Sequence, residues 1–294
     1  MDRAQTRARI LVADDDRTTR FAVCSMLRRA GYVVTSVQNG TQALRKIQQM
    51  SFDLAFLDIW MPGLTGLEVL ARVRIGESRP KMVIMTSDGT PESVLSAVRE
   101  QAYEYLNKPF QPKEAVEVAQ RALRQDASAP IEVVSAKPHW VELLIPCTRE
   151  AAERIESFLM KLDTDLSDEQ RNTIGLAFRE LLLNAVEWGG KLDPNRKVRI
   201  AYVRSTRILL YRIADPGPGF NFKGLAHAAA GQTTGEPLAH VSVRDQLGIR
   251  PGGFGIAMIR AIADELLYNE AQNEVIFIKY LNVPVVSPAG HAPG

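Results

Sequence analysis

The sequence predicts two domains of different class. A doubly wound α/β domain with a five-stranded parallel sheet covers residues 1–125, and an α+β two-layer sandwich with a mixed, mainly antiparallel sheet covers residues 139–283. Three observations predict this. Before Asp126, short apolar runs alternate with helical periods five times, the signature of a parallel sheet covered on both faces. After His139, helices and adjacent strands segregate instead of alternating. Between them, residues 126–138 mix Asp, Ala, Ser, Pro and Lys and read as a linker. A chain of 294 residues carries two domains by length alone.

In the first domain, strands are expected at Ile10–Ala13, Tyr32–Val37, Leu54–Leu57, Met82–Met85 and Tyr103–Leu106. Helices are expected at Thr18–Arg29 (stopped by Gly31), Thr41–Met50, Leu67–Val73, Pro91–Glu100 and Pro112–Arg124. In the second, Trp140–Ile145 is a strand and Arg149–Leu162 a helix. A long helix runs from Ser167 to about Trp188, with Ser167 and Gln170 spaced as a capping box. Val198–Val203 and Ile208–Ile213 read as a hairpin, residues 254–266 as a helix and Glu274–Leu281 as a last strand. The tail, 284–294, is Pro, Gly, His and Ala-rich and reads as disordered.

Composition excludes several classes. Hydrophobic residues make up 46% and charged residues 24%, enough apolar material for two cores. A net charge of +2 gives no strong case for nucleic-acid or anionic-membrane binding, and neither is expected. Residues 1–9 lack the apolar stretch of a signal peptide, and no run reaches the ~20 apolar residues of a membrane span. A cytoplasmic protein is expected, with Cys24 and Cys147 as reduced thiols.

Chemistry concentrates at predicted strand ends. Asp14 and Asp15 follow the first strand, Asp58 the third, Thr86 ends the fourth, and Lys108-Pro109 follow the fifth. In such a sheet ligands bind beyond the carboxyl ends of the strands. Three carboxylates crowded there repel one another, and a hard divalent cation such as Mg2+ relieves that repulsion. Lys108 adds a fixed positive charge for an incoming phosphoryl group, and Asp58 becomes a nucleophile toward a phosphoryl donor. Asp16 reads simply as a helix N-cap.

The segments Ile10-Leu-Val-Ala-Asp-Asp-Asp16, Leu57-Asp-Ile-Trp-Met-Pro-Gly-Leu-Thr-Gly66, Met85-Thr-Ser87 and Tyr105-Leu-Asn-Lys-Pro-Phe110 resemble the receiver domains of two-component response regulators, of flavodoxin-like fold. The resemblance implies Asp58 as phospho-acceptor, Asp14, Asp15 and Asp58 around Mg2+, Lys108 as phosphate partner, Thr86 and Tyr105 as paired switch positions, and a cis Lys108–Pro109 bond. It also implies a cognate sensor histidine kinase as donor. Trp60, two residues past the acceptor, is a departure: either it hinders water and slows loss of the phosphoryl group, or it points away and packs on a partner. Gln101 stands where the family often has Gly.

The second domain has its own anomaly. Glu180, Asn184 and Glu187 recur at helical spacing in an otherwise apolar helix, and Asn is a poor mid-helix residue. The helix alone fits either a narrow solvated stripe or a site with Asn184 on Mg2+ and Glu180 at a reacting group. Ala214-Asp-Pro-Gly-Pro-Gly-Phe220 follows a strand, where Asp215 can accept from an adenine amino group and the glycines admit close backbone approach. Gly252-Gly-Phe-Gly255 opens a helix, whose N-terminus suits phosphates. Each glycine segment alone could be a turn or loop.

Together, Glu180-x-x-x-Asn184, Asp215-x-Gly217-x-Gly219 and Gly253-x-Gly255 resemble the GHKL ATPases, and most of all the anti-sigma-factor serine/threonine kinases. The resemblance implies ATP and Mg2+ as cofactors, Asn184 on the metal, Glu180 as general base, Asp215 at the adenine, and Gly217, Gly219, Gly253 and Gly255 along the nucleotide. Residues 220–252 become an ATP lid, from which Arg244 or Arg250 could reach the γ-phosphate. The implied partners are an anti-sigma-factor antagonist (STAS-type) as substrate, a sigma factor, and a second copy in a homodimer. Trp188 and Phe254 depart from the family's common His and Arg. His139, His227, His240 and His291 lack the helical context of a phospho-acceptor histidine, and no helix-turn-helix is evident. Two readings remain: a response regulator whose output is a protein kinase, or an ATP-dependent module that sequesters a partner without catalysis.

Overall fold

The computed structural model describes residues 7–73, 79–87, 89–124, 130–163, 165–219 and 255–281. The chain divides into two compact units, Met1–Ala136 with Glu150–Arg171, and Lys137–Arg149 with Asn172–Gly294.

The first unit contains β1 (Arg9–Ala13), α1 (Arg17–Arg29), β2 (Val33–Val37), α2 (Gly40–Gln49), β3 (Leu54–Asp58), α3 (Gly66–Arg72), β4 (Lys81–Thr86), α4 (Pro91–Arg99), β5 (Glu104–Asn107) and α5 (Pro112–Ala122). The strands form one sheet in the order β2-β1-β3-β4-β5, and every pairing is parallel. β3 is buried along its whole length, as expected of a central strand with helices on both faces. Ile10, Val12, Leu54, Phe56, Val83 and Met85 pack with Val23, Leu27, Ala115 and Val118 into one of the layers between sheet and helices. Asp16 caps α1 by accepting from the Thr18 and Thr19 amides, and Thr65 and Glu68 form a reciprocal capping box on α3.

Helix α6 (Arg149–Leu159) belongs, from Glu150 onward, to this same unit. Glu150 accepts from the Tyr103 hydroxyl at 2.9 Å, and Arg154 stacks 4.5 Å from the Tyr103 ring while donating to the Tyr103 carbonyl at 2.9 Å. Ser157 donates to Glu104 at 2.8 Å. These contacts cluster at the start of β5, the end of the sheet opposite Asp58.

The second sheet has six strands in the order β10-β11-β9-β8-β7-β6, with β6 at Glu132–Lys137, β7 at Trp140–Pro146, β8 at Lys197–Arg204, β9 at Ile208–Ala214, β10 at Glu265–Tyr268 and β11 at Glu274–Tyr280. Every pairing from β10 through β7 is antiparallel. Helix α7 (Asp168–Asn184) lies on it through Phe178, whose ring centroid is 4.4 Å from that of Tyr211; Tyr202 and Phe277 flank Tyr211. The expected capping box at its start is present, with Gln170 N–H donating to Ser167 Oγ and Ser167 N–H to Gln170 Oε1. Helix α8 (Gly255–Ile262) follows.

Three expectations need correction. The linker expected over 126–138 contains β6. The long helix does not continue as α-helix to Trp188; after Asn184 it widens into a π-turn over Ala185–Gly189. The helix expected over 254–266 ends at Ile262, because residues from Glu265 pair with β11 as a strand. The predicted lid, Gly253, Arg244, Arg250 and the tail lie outside the described residues.

Candidate functional site

The parallel sheet brings the acidic residues to one edge. Asp58 ends β3, and Asp14 and Asp15 follow β1, its neighbour. Ligand atoms of the three carboxylates lie within 4.8 Å of one another, with Asp14 and Asp58 buried and Asp15 exposed. The Lys108 ammonium bridges two of them, 2.9 Å from Asp14 Oδ2 and 3.0 Å from Asp58 Oδ1. Its peptide bond to Pro109 is cis.

Burial raises the Asp14 and Asp58 carboxyls against the pull of Lys108, and Asp58 is pushed up to about 6. Burial alone would lower the Lys108 ammonium, but hydrogen bonds and charge from Asp14 and Asp58 outweigh it and raise it. The cluster is thus held together by one cation and is short of positive charge. Hard oxygen donors so arranged fit a Mg2+-type ion, for which Asp14, Asp15 and Asp58 would be the protein ligands. Thr86 and Tyr105 are fully buried on the neighbouring strands β4 and β5. Trp60 is 56% exposed. Gln101 takes the left-handed φ of 57°, the conformation that makes Gly common there.

The antiparallel unit holds a cavity of about 300 Å³. Glu180, Asn184, Asp215, Gly217, Gly219 and Gly255 all line it, so the three segments that carry the sequence motifs converge on one cavity of the second unit. Asp215 follows β9; its backbone N–H donates to the Asn273 carbonyl at 2.8 Å, and its Oδ1 accepts from the Gly217 amide at 2.7 Å. Burial raises its carboxyl, opposed by that amide and by Arg196. Gly255 opens α8 against Glu180: a Cβ there would stand 2.6 Å from Glu180 Cγ. Glu180 thus sits beside a helix N-terminus.

Glu187 does not join the other two. The π-turn takes it off the face of Glu180 and Asn184, and it accepts from Arg149 at 2.8 Å, while Trp188 lines the cavity instead. The sequence reading missed Gly189. A Cβ at Gly189 would stand 2.5 Å from Asp215 Cβ and closer still to its carboxyl, so only Gly lets that carboxylate sit there. The Trp188-Gly189-Gly190 pair of glycines just past a helix was the available signal.

One pocket thus suits phosphorylation of an aspartate and the other suits a nucleotide, which defines a phospho-accepting signalling protein with an ATP-handling output. Residues 10–120 match the response regulator receiver domain family, and residues 145–279 match the histidine kinase-like ATPase domain family. The DNA-binding response regulator MtrA of Mycolicibacterium paratuberculosis is 30% identical over 202 residues, covering 68% of this chain and 88% of that protein. The DNA-binding transcriptional regulator NtrC of Azospirillum brasilense is 34% identical over 119 residues, 40% of this chain and 25% of that one. Among solved structures, the chemotaxis response regulator CheY4 of Vibrio cholerae is 32% identical, covering 40% of this chain and all of that one, with a TM-score of 0.38. The chain belongs to the response regulators, as a receiver fused to a GHKL-type, histidine-kinase-like ATPase domain. Among the described residues, no helix is long and apolar enough to cross a membrane.

Proposed function

We propose that this protein is a response regulator whose output is an ATP-dependent serine/threonine protein kinase, governed by phosphorylation of Asp58. A sensor histidine kinase is the phospho-donor, and an anti-sigma-factor antagonist is the substrate. The observation that carries this reading is Glu180, a carboxylate in the nucleotide cavity beside the N-terminus of α8. A module that only binds ATP needs the adenine-accepting Asp215 and the glycines. It has no use for a base at the phosphate end.

In this reading Asp215 accepts from the adenine amino group, and Asn184 would hold a Mg2+ that neutralises the phosphates. Glu180 takes the proton from a substrate Ser or Thr hydroxyl as that oxygen attacks the γ-phosphorus and ADP leaves. The cytoplasm is the expected compartment, and dimerisation is expected of the kinase domain.

The alternative, ATP-dependent sequestration of a sigma factor or another partner, differs in one measurable respect. Labelled ATP with Mg2+ is offered together with candidate antagonist proteins, with and without acetyl phosphate on the receiver. Glu180→Gln should keep nucleotide affinity and lose phosphoryl transfer by at least about a hundredfold, the scale of general-base catalysis. Transfer that survives the substitution removes Glu180 from the chemistry. Absence of transfer in the unaltered protein with any antagonist favours sequestration.

A further inference from the structure

The turn between β10 and β11 forms one side of the nucleotide cavity and contains a side chain that no motif assigns. Gln272 lines the cavity together with Asp215, Gly217 and Gly219. Its side-chain Oε1 is buried and has no hydrogen-bond partner among the described residues. An amide oxygen withdrawn from water without a partner costs about 1–3 kcal/mol. The backbone adds to this cost, because Gln272 sits at a left-handed φ of 58°, a conformation that glycine adopts freely and glutamine does not.

The turn is not loose. Gln272 N–H donates to the Asn269 carbonyl at 3.0 Å, and the Asn269 and Asn273 side chains join at 2.8 Å. Asn273 also ties the turn to the Asp215 loop: its carbonyl accepts from Asp215 N–H at 2.8 Å, and its Nδ2 donates to the Gly217 carbonyl at 2.9 Å. Gln272 is therefore carried on a fixed frame directly attached to the residue read as the adenine acceptor. A costly conformation and a buried, unsatisfied amide oxygen, both on a residue that lines a ligand cavity, are explained together if the side chain turns to a ligand that supplies the missing partner.

We propose that Gln272 is a base-specificity residue that reads the adenine edge alongside Asp215. This rests on the reading of the cavity as a nucleotide site. Adenine's amino group has two hydrogens: Asp215 takes one, and Gln272 Oε1, swung out of its buried position by rotation of the side chain, takes the other. The Gln272 Nε2–H2 then donates to the ring nitrogen next to that amino group, the paired geometry by which carboxamides recognise adenine. A purine with a carbonyl at position 6 turns an acceptor toward two acceptors and is rejected.

The test is the affinity of the full-length protein for ATP and for inosine triphosphate, by titration calorimetry with Mg2+. Gln272→Gly removes the amide and suits the left-handed backbone, so the fold is kept; Gln272→Asn tolerates the same backbone but is one methylene too short. Both should bind ATP about tenfold more weakly, the equivalent of one to two hydrogen bonds, and bind inosine triphosphate as the unaltered protein does. Unchanged ATP affinity in both variants overturns the assignment while leaving the nucleotide site intact. An equal loss for both nucleotides also overturns it, since that marks a purely structural role. If the unaltered protein binds neither nucleotide, the inference and the site reading fall together.

Discussion

Replacing Gly189 with Ala adds one methyl group and should disable the nucleotide site while sparing the receiver. The added Cβ would lie 2.5 Å from Asp215 Cβ. Carbon atoms in folded proteins pack at about 3.5–4.0 Å, so one side must retreat by about 1 Å. Gly189 belongs to the π-turn, closed below it by the Gly190 N–H donating to the Ala185 carbonyl at 2.8 Å. Asp215 is tied through its own N–H to Asn273 and through Oδ1 to Gly217. Neither can move far, so the carboxylate rotates away from the base. Losing a charge-assisted hydrogen bond costs about 1.5–3 kcal/mol, which corresponds to a ten- to more than hundredfold weaker ATP affinity. Overpacking adds about 1–3 kcal/mol of destabilisation. Calorimetric titration with ATP reads the first effect and denaturant unfolding the second. Acetyl phosphate labelling of Asp58 is the internal control and should be unchanged. Wild-type ATP affinity in Gly189→Ala would show that the Asp215 carboxylate does not carry base recognition, and the adenine assignment would be wrong.

Two further outcomes follow from the receiver. Lys108→Met removes the cation lying 2.9 Å from Asp14 and 3.0 Å from Asp58. Phosphorylation of Asp58 by acetyl phosphate, followed by phosphate-affinity electrophoresis, should slow at least about tenfold, one charge-assisted contact, with ATP binding intact; an unchanged rate would exclude Lys108 as the phosphate partner. Gln101→Gly relieves a left-handed φ of 57° and should stabilise the receiver by about 1 kcal/mol, read as a higher denaturant midpoint; a lower midpoint would mean that the glutamine side chain contributes more than the backbone strain costs.

Much of the first unit was legible because its signals are local and redundant. Each strand is an apolar run ended by a polar, chemically distinctive residue, and the parallel topology places those ends together without any fine packing detail. The pair Asp58 and Lys108 meets at 3.0 Å even though 50 residues separate them, as the strand order alone requires. The second unit was legible only in its motifs. Residues 132–137 alternate weakly and carry a Glu and a Lys at their ends, so the run read as a linker until its neighbour β7 recruited it. Leu266-Leu267-Tyr268 is an apolar run that fits a helix or a strand equally, and pairing with β11 decides.

The π-turn is the deeper case, because it decides which residues face the nucleotide. A regular helix would keep Glu187 on the face of Glu180 and Asn184. One widened turn sends Glu187 to Arg149, brings Trp188 to the cavity and delivers Gly189 under Asp215. No propensity distinguishes that turn, since it is set by tertiary contact: a Cβ at Gly190 would stand 2.5 Å from Cys147 Cβ, and one at Gly189 against Asp215. The same holds for Gln272, which in sequence is one polar residue in a polar turn and in the fold lines the cavity and buries an unsatisfied amide oxygen. Spacing in the sequence can nominate the groups that do the chemistry. The groups that aim and select are chosen by close approach between distant segments, and the glycines at 189 and 190 are where the chain records that approach.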